Sequence, residues 1–468
     1  MERLIPPIPR AWIPALSLGL TLLGPVSSEG GTGTPRIDPR DPRRFVMDAE
    51  PWVPLGYTPG LGALTLRRDG TPLEDFYRAY HDWLRERRIN YYRAVFSFGQ
   101  AFEGRKTEET LPYLRLGPGR AVDGKLRFDL DRFDPSHFEY WRRVIRDAGE
   151  KGIVVQLVLF DSWHLNQADR GNGWGRILDP YYGKNNVNGV TFDLEDEASW
   201  HRSESSSAVY RRQQALVDEV VEELGSLPNL VWEIANEPAE FLDSWAVPLA
   251  RYLRARDRGR HLVIPLDLPD HQHTPGLYPP EHLPQPTRRA LLERFPEAIP
   301  LIVHNDTTKA FLPPALQREK AWAVLTAGAH FNYFTNREEA VPLRRSHSPE
   351  SRGARFIGHL RAFLQAFEVD LRAMEPADGR VRPAVAGGAW CLGRGAREMI
   401  VYKRALPGNG WVDVLGPPQR YRARWFNPRS GRPEAATAQG RPVAGAHRFH
   451  PPRQPGKDWV LHLEAGGG

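Results

Sequence analysis

A carboxylic acid stands at a position where a parallel-sheet fold could use it for chemistry. The apolar run Leu230–Ala235 has the composition of a buried parallel strand, and Asn236, Glu237 and Pro238 follow it. A Glu carboxyl beside an Asn amide, at the C-terminal end of a strand, is a suitable proton donor to a glycosidic oxygen. The structural alternative is that Asn236 caps a helix beginning at Pro238.

A second carboxyl, Asp306, follows another strand-like run, Ile299–His304. Glycoside hydrolysis uses two carboxyls, about 5–5.5 Å apart in retaining enzymes and about 6.5–9.5 Å apart in inverting enzymes. Asp306 is a second carboxyl at a strand end that could take part in such a reaction. With its neighbour Asn305 it also has the composition of a turn or helix cap, and the sequence leaves both interpretations open.

Other side chains at strand ends could bind a sugar through hydrogen bonds or ring stacking. These candidates are Arg93, Asp161, Trp163, His164, Trp174, Asn236, His273, Asn332 and Tyr333. Trp174 lies in a loop rich in aromatic, amide and glycine residues, which could form a platform for a sugar ring. Arg93 could instead pair with a structural acid, and His273 could be a surface residue. Glu233 is interpreted as a structural acid paired inside the fold.

No metal or cofactor is predicted. His271 and His273 are close in sequence, but the chain has no H-E-x-x-H motif, no Walker loop and no dinucleotide fingerprint between a strand and a helix. The single cysteine, Cys391, excludes an internal disulfide and a cysteine-based metal site.

The elements that would hold these side chains alternate along residues 45–376. Amphipathic helices separate eight strand-like runs, namely Trp52–Tyr57, Ile89–Phe96, Ile153–Phe160, Leu230–Ala235, His261–Leu266, Asp270–Thr274, Ile299–His304 and Ala329–Phe334. The sixth run has the weakest pattern. This alternation predicts an α/β fold, a (β/α)8 TIM barrel in which Glu237 ends the fourth strand.

The two ends of the chain differ in composition from this central part. Residues 1–28 have a positive start and an apolar run typical of a secretory signal, which predicts export. A misassigned start or a membrane anchor is the alternative, but the run is too short and interrupted to predict a transmembrane helix. Residues 29–44 predict a flexible leader. Short strand-like runs between Gly and Pro turns predict a small β-sandwich over residues 379–468.

Composition and charge limit the possible partners. The formal net charge of the 468 residues is +6, with Arg scattered among acids and no long basic run, which argues for solubility rather than nucleic-acid binding. An acidic polysaccharide is compatible with this charge but not demanded by it. The 14 Trp residues suit sugar stacking, although most are expected in the core.

Two stretches resemble known families. Trp232–Pro238 resembles the acid/base strand of clan A glycoside hydrolases, which reads W-E-x-x-N-E-P. Trp425–Gly431 and Asp458–Leu461 resemble a module named as a collagen-binding domain, which in related proteins follows an apiosidase-like clan A barrel. The name of that module does not establish collagen binding, and we favour a sandwich that packs against the barrel.

The resemblance implies roles for individual residues. Glu237 matches the acid/base, Arg93 the place of an arginine that orients the nucleophile, and His273 the place of a histidine that contacts the active site. The family nucleophile is a Glu at the end of strand seven, where this chain has the shorter Asp306. This departure puts the nucleophile in doubt.

Together these features predict an exported hydrolase of O-glycosidic bonds in a plant or microbial polysaccharide. We expect a secreted, periplasmic or cell-surface protein, without cofactor, nucleic-acid partner or stable membrane insertion after signal cleavage. The main alternative is a non-catalytic carbohydrate- or matrix-binding protein on a degenerate barrel. A third is a structural cell-surface protein whose sandwich binds a protein partner. The sugar, the linkage and the oligomeric state stay open.

Overall fold

A computed structural model describes most of the chain, namely residues 33–59, 64, 73–96, 111–162, 165, 174–271, 283–306, 312–334, 349–416 and 421–466. An antiparallel sheet of three strands comes first, β1 (Arg36–Asp38), β2 (Asp41–Met47) and β3 (Glu50–Trp52). Residues 36–44 are therefore not the flexible leader that was expected. They are ordered because Arg44 and Phe45 are buried against the barrel that follows.

Strands and helices then alternate over β4 (Leu55–Thr58), α1 (Leu73–Glu86), β5 (Tyr91–Val95), β6 (Tyr113–Arg120), β7 (Leu126–Phe133), α2 (Pro135–Glu150), β8 (Val154–Asp161), α3 (Trp174–Leu178), α4 (Ala208–Leu224), β9 (Leu230–Asn236), α5 (Val247–Asp257), β10 (Leu262–Ile264), α6 (Pro284–Arg294), β11 (Ile302–Asp306), α7 (Pro314–Thr326), β12 (His330–Phe334) and α8 (Pro349–Ala366). Local signals set some of these bounds. The Asp134 carboxylate caps α2 by accepting from the Ser136 N–H, and α4 ends at Gly225.

Seven parallel strands form one curled sheet in the order β10-β9-β8-β5-β4-β12-β11. Their order along the chain is that of strands one to five, seven and eight of a (β/α)8 barrel, which confirms the expected fold. Asp270 and His271, expected in the sixth strand, lie in irregular chain after β10, and residues 272–274 lie outside the described part. None of the helices in the described ranges is long and apolar enough to cross a bilayer.

Apolar side chains close the N-terminal end of the barrel. The first or second residues of five strands form an inner layer, consisting of Tyr91, Val154, Val231, Leu262 and Ile302. Phe45 packs into this layer, with its ring centroid 5.0 Å from that of His330. The buried guanidinium of Arg44 donates to the carbonyls of Gly328, Leu371 and Met374 at 2.7–3.1 Å. The sheet β1–β3 therefore plugs one end of the barrel.

The rest of the chain forms two more antiparallel sheets from β13 (Glu375–Pro376), β14 (Val381–Pro383), β15 (Ala389–Arg394), β16 (Glu398–Lys403), β17 (Val412–Leu415), β18 (Tyr421–Asn427), β19 (Arg432–Thr437), β20 (Arg441–Val443), β21 (Ala446–Phe449) and β22 (Trp459–Ala465). Their orders are β13-β15-β16-β22-β18-β19 and β14-β17-β21-β20. An apolar cluster that includes Val412, Trp425 and Leu461 lies between the two sheets. The arrangement is the β-sandwich that the sequence predicts.

The six-stranded sheet of this sandwich packs against α7 and α8 of the barrel. Its residues Trp390, Tyr402 and Phe426 belong to the same apolar core as Trp322 and Phe363 of the two helices. The rings of Trp322 and Tyr402 are stacked at 5.6 Å with an interplanar angle of 6°. The sandwich is thus joined to the barrel through a continuous core.

A buried ionic cluster accompanies this apolar contact. Arg318 of α7 donates to both carboxylate oxygens of Asp458, at 2.6 and 3.2 Å. The Tyr402 hydroxyl donates to the same carboxylate at 2.9 Å, and Arg429 donates to it at 3.1 Å. Every member except Arg318 belongs to the sandwich, so the cluster ties the two parts of the chain together.

Candidate active site

The end of β9 has an unusual backbone conformation at Glu237. Asn236 is the last strand residue, and Glu237, half-buried, follows with a φ of +51°. This left-handed conformation costs a residue with a side chain about 1–2 kcal/mol. Such outliers persist where the surrounding structure enforces them, and they cluster at functional sites. The fold therefore turns the chain sharply at the carboxyl that the sequence singles out.

The side chain of Asn236 is held from both sides. Its amide nitrogen donates to the Asp161 carboxylate at 2.8 Å, and its amide oxygen accepts from Arg93 Nη2 at 3.0 Å. Asp161 is the last residue of β8 and lies beside Asn236 in the parallel register. Asp161 accepts a hydrogen bond from one of the two N–H groups of the Asn236 amide. The two hydrogen bonds fix the orientation of this amide, and its second N–H can donate to another group.

Arg93 itself is fixed by a buried carboxylate. Its Nε and Nη2 donate to the two oxygens of Glu233 at 2.7 and 2.6 Å, and both side chains are almost fully buried. The amide of Gln156 also donates to Glu233, and the Tyr91 hydroxyl donates to the amide oxygen of Gln156. Glu233 is thus a structural acid, in agreement with its interpretation from the sequence. It anchors the guanidinium that orients Asn236.

The charges in this cluster are unequally compensated. Burial raises the pKa of Glu233, Asp270 adds to the rise, and the opposing effects of Arg93 and of the hydrogen bond from Gln156 do not cancel it. For Arg93, burial works to lower the pKa, but attraction to Glu233 and Asp270 outweighs it and raises the pKa. The arginine therefore stays charged, while the carboxylate has one cation and one like-charged neighbour.

A second polar cluster joins β4, β11 and β12. The Asn332 amide donates to Thr58 Oγ1 at 2.9 Å and lies 2.9 Å from Nδ1 of His304. Burial, together with the positive charge of Arg93, holds the pKa of His304 well below its usual range. The neutral imidazole can accept at Nδ1, and its ring centroid lies 4.3 Å from that of His271. The Thr58 hydroxyl also accepts from the Arg93 backbone N–H at 3.0 Å, which links the two clusters.

Three side chains of this region have the composition of a metal site. Ligand atoms of Glu233, Asp270 and His271 lie within 4.8 Å of one another, and all three residues are buried. However, both oxygens of Glu233 already accept hydrogen bonds from the Arg93 guanidinium. A divalent cation would have to displace this positive charge, so the donor set does not fit a metal.

Three of the predicted site residues come together through side-chain hydrogen bonds, namely Arg93, Asp161 and Asn236, and Glu237 follows Asn236 directly in the chain. Asn332 belongs to the neighbouring cluster. Asp306 is the last residue of β11 and Trp174 the first of α3, but their side chains lie outside the described part. Trp163, His164 and His273 lie outside the described residues altogether.

Tyr333, which the sequence predicts as a sugar-binding residue, does not face the barrel interior. Its ring has no exposed surface and lies 5.1 Å from that of Tyr57, in the core between the strands and the surrounding helices. The reason is the alternation of a β-strand, which turns adjacent side chains to opposite faces of the sheet. Asn332 takes the inner face, so Tyr333 must take the outer one.

Several residues of the site were missed by the sequence reasoning, namely Thr58, Gln156, Asp270, His271 and His304. Gln156 and His304 carried a usable signal, because each is a polar residue that directly follows two apolar residues of its strand. Polar side chains at such positions are expected to face the barrel interior and to find partners there. Asp270 and His271 were assigned to the sixth strand-like run and not to the site, and they lie in irregular chain after β10.

Comparison with known proteins gives the fold a wider context. Residues 417–464 match a family described as "Putative collagen-binding domain of a collagenase". A structure described as a "putative glycoside hydrolase" from Bacteroides vulgatus superposes with a TM-score of 0.63 at 16% identity, over 94% of this chain and 83% of that one. A structure named as a family 5 glycoside hydrolase from the same species superposes with a TM-score of 0.59 at 14% sequence identity, over 93% of each chain.

A third structure, named only as a glycoside hydrolase, gives a TM-score of 0.59 at 14% identity, over 93% of this chain and 97% of that one. The fold is that of these glycoside hydrolases. At such identities the likeness extends to the fold and no further. A search of curated protein sequences finds no match.

Proposed function

We propose that the chain is an O-glycoside hydrolase with Glu237 as its general acid. The observation that carries this proposal is the position of Glu237, directly after the fourth barrel strand, in a left-handed conformation next to an immobilised Asn236. The C-terminal ends of the strands are where barrels of this kind hold their catalytic groups. The three neighbouring structures named as glycoside hydrolases have the same fold over nearly the whole chain.

In this proposal Glu237 protonates the glycosidic oxygen as the bond to the anomeric carbon breaks. Asp306, at the end of β11, acts on the other face of the sugar, either as nucleophile or as base for the attacking water. The second N–H of the Asn236 amide binds the 2-hydroxyl, a contact that strengthens in the transition state. Arg93 is a positioning residue, because it reaches the reaction only through Asn236.

The substrate we propose is a branched plant or microbial polysaccharide, which follows from the resemblance to apiosidase-like barrels. A polymer of this kind is met outside the cell, in keeping with the proposed export of the chain. The proposed subsites include the candidates Trp163, His164, Trp174 and His273.

A second candidate function is binding of a glycan without hydrolysis. The shorter Asp306 at the end of β11, where a Glu was expected, favours it. A carboxylate set back from the sugar could leave the barrel able to hold a glycan but unable to cleave it.

The experiment is hydrolysis of a panel of plant and microbial polysaccharides by residues 29–468, compared with Glu237→Gln and Asp306→Asn. Glu195→Gln is the matched control, since it removes an exposed carboxyl outside the polar clusters. We expect Glu237→Gln to lower kcat by about 10²–10⁴-fold on natural linkages. The loss should be smaller on aryl glycosides whose leaving group needs no protonation.

Each outcome separates the alternatives. Loss in both variants, with Glu195→Gln unchanged, supports a mechanism with two carboxyls. Loss in Glu237→Gln alone keeps the enzyme and removes Asp306 from the mechanism. Binding of a glycan without release of sugar by the parent would replace hydrolysis with the second candidate function.

A further inference from the structure

Charge is divided unevenly between the two parts of the chain. Residues 379–468 contain fifteen Lys and Arg and only five Asp and Glu, a formal net charge of +10. Residues 1–378 contain 48 basic and 52 acidic residues, a net charge of −4. The overall value of +6 therefore conceals a strongly basic sandwich attached to a slightly acidic barrel. A charge of this size in 90 residues predicts attraction to anionic partners.

Part of this basic excess is used within the protein. Arg404 pairs with Glu319 of α7 at 2.7 Å, and Arg429 contributes to the cluster around Asp458. The buried amino group of Lys403 donates to the carbonyls of Pro455 and Lys457. Arg404 and Arg429 hold the sandwich on the barrel, and Lys403 binds within the sandwich. None of them accounts for the cations on the opposite side of the sandwich.

The remaining cations include an ordered row on the four-stranded sheet. The strand register places Arg382 of β14 beside Asp413 of β17, Asp413 beside Arg448 of β21, and Arg448 beside Arg441 of β20. One residue from each strand therefore forms a line across the whole sheet. With strands about 4.8 Å apart, the line from Arg382 to Arg441 spans about 14 Å. We call these four residues the arginine row.

The arginine row faces solvent on the side of the sandwich opposite the barrel. Its sequence neighbours Val381, Val412, Val414 and Phe449 lie in the apolar cluster between the two sheets. Alternation then turns the row to the outer face. The six-stranded sheet separates this face from α7 and α8.

A buried carboxylate orders two of the three arginines. Asp413 accepts from Arg448 at 2.8 and 3.1 Å and from Arg382 at 3.2 Å, and its side chain has no exposed surface. The guanidinium carbon of Arg448 also lies 3.6 Å from the ring centroid of Trp411. The Arg382 side chain is 56% exposed and that of Arg448 31% exposed. Each guanidinium has five N–H donors, so both keep donors for a ligand.

We propose that the arginine row binds an acidic polysaccharide. Guanidinium groups recognise planar carboxylates and sulfates through paired hydrogen bonds, and groups held in place lose less entropy on binding. A row about 14 Å long on a twisted sheet can face several consecutive sugar units of an extended chain. This site is separate from the barrel site, and its occupation does not depend on the proposed hydrolysis.

The row fits a sparsely charged polymer better than a nucleic acid. Duplex DNA carries one negative charge per about 1.7 Å of its axis and is held mainly by dense clusters of Lys and Arg on phosphates. Asp413 places a negative charge in the middle of the row and leaves a net charge of +2 over four strands. Widely spaced carboxylates or sulfates on a sugar chain match this density.

The experiment measures binding by the full chain carrying Glu237→Gln, which prevents hydrolysis from consuming the probe. Immobilised polygalacturonate tests a carboxylated chain, dextran sulfate a sulfated one, and dextran the neutral backbone. The row variant is Arg382→Gln with Arg441→Gln. Its matched control is Arg397→Gln with Arg422→Gln, which removes two exposed cations of the same sandwich, one in the turn between β15 and β16 and one on β18. Thermal melting checks the folding of both.

We expect binding to at least one acidic polymer and none to dextran, with affinity falling as salt is raised. The row variant should bind roughly five- to tenfold more weakly, while the control changes by less than about twofold. Equal losses in the row variant and the control would show that diffuse charge, and not the row, is responsible. Absence of binding to both acidic polymers, or tighter binding to duplex DNA or collagen, would overturn the proposal.

Discussion

The barrel centre and the contact between barrel and sandwich each contain a buried arginine paired with a carboxylate on both oxygens. In the barrel centre, Arg93 is the cation paired with Glu233, and Asp270 lies close to both. In the contact between barrel and sandwich, Asp458 pairs with Arg318 and Arg429 and accepts a hydrogen bond from the Tyr402 hydroxyl. The same chemical pair is therefore undercompensated in one place and generously compensated in the other.

The pKa values of the two carboxyl groups are consequently shifted in opposite directions. Burial raises the pKa of Glu233, and Arg93 does not reverse the effect. Burial also works to raise the pKa of Asp458, but the two arginines and Tyr402 outweigh it and lower the pKa. A cluster that only has to hold the sandwich against the barrel can provide a hydrogen-bond partner for each of its charged groups. In the barrel centre one guanidinium must also orient Asn236, next to the strained Glu237.

The largest effect should follow from removing the sandwich. We expect a chain that ends at residue 376 to lose cooperative folding. Without the sandwich, Trp322 and Phe363 would be exposed to solvent. The free-energy cost of exposing several large apolar side chains to water is comparable with the whole free energy of unfolding of a domain, roughly 5–15 kcal/mol. Thermal melting and limited proteolysis, with the full chain refolded in parallel, measure the outcome. A truncated barrel that melts cooperatively at the temperature of the full chain would contradict the structural role of the contact.

The second prediction compares the two arginines directly. Arg93→Met should lower the free energy of unfolding by about 3–5 kcal/mol, since it leaves Glu233 buried without a cation. Arg318→Met should cost roughly half as much, since Asp458 keeps Arg429 and Tyr402. Urea unfolding of both variants decides the matter. A loss in Arg318→Met equal to that in Arg93→Met would mean that the surplus of partners around Asp458 has no energetic value.

The third prediction concerns the sign of the pH dependence. Asp458, with a lowered folded pKa, contributes stability that is present above the unfolded pKa of about 3.9 and is lost as the pH falls through the folded pKa. Glu233, with a raised folded pKa, does the reverse, so its contribution declines as the pH rises above about 4.3.

Melting temperatures from pH 3 to 7 test both signs. Asp458→Asn should flatten the loss of stability in acid, and Glu233→Gln should flatten a decline toward neutral pH. If both variants change the profile in the same direction, the contrast between the two carboxylates is refuted.

The smallest effect should come from the backbone of Glu237. Glu237→Gly should raise the free energy of unfolding by about 1 kcal/mol while abolishing the proposed activity, because glycine accepts a positive φ without strain. Glu240→Gly is the control, since Glu240 lies three residues further along without a positive φ, and it should lose roughly 0.5–1 kcal/mol. A destabilised Glu237→Gly would show that Glu237 is not strained.

The sequence predicted those parts of the molecule that depend on local pattern. Periodicity predicted the seven barrel strands of the described residues, and the apolar run before Asn236 predicted the fourth of them. The Asn236–Glu237 pair was singled out by the same reasoning, since the C-terminal ends of barrel strands form the face where catalytic groups lie.

Features that depend on contacts distant in sequence could not be predicted in this way. The segment 36–44 is rich in Arg and Pro, and its order comes from carbonyls more than 280 residues away. Arg318 and Asp458 are 140 residues apart. For Tyr333 the strand was predicted but its phase was not, because a shift of one residue reverses the face of every side chain.

The plug formed by β1–β3 has a consequence for the order of folding. Arg44 leaves the ribosome before most of the barrel has been synthesised, but the carbonyls that it binds belong to Gly328, Leu371 and Met374. Contacts of such sequence separation form slowly, because a long loop must close before they are made. Residues 35–44 must therefore stay exposed to solvent until nearly the whole barrel has been synthesised. The four arginines and three prolines at residues 35–44 suit this segment for that interval, since they disfavour strand pairing between chains.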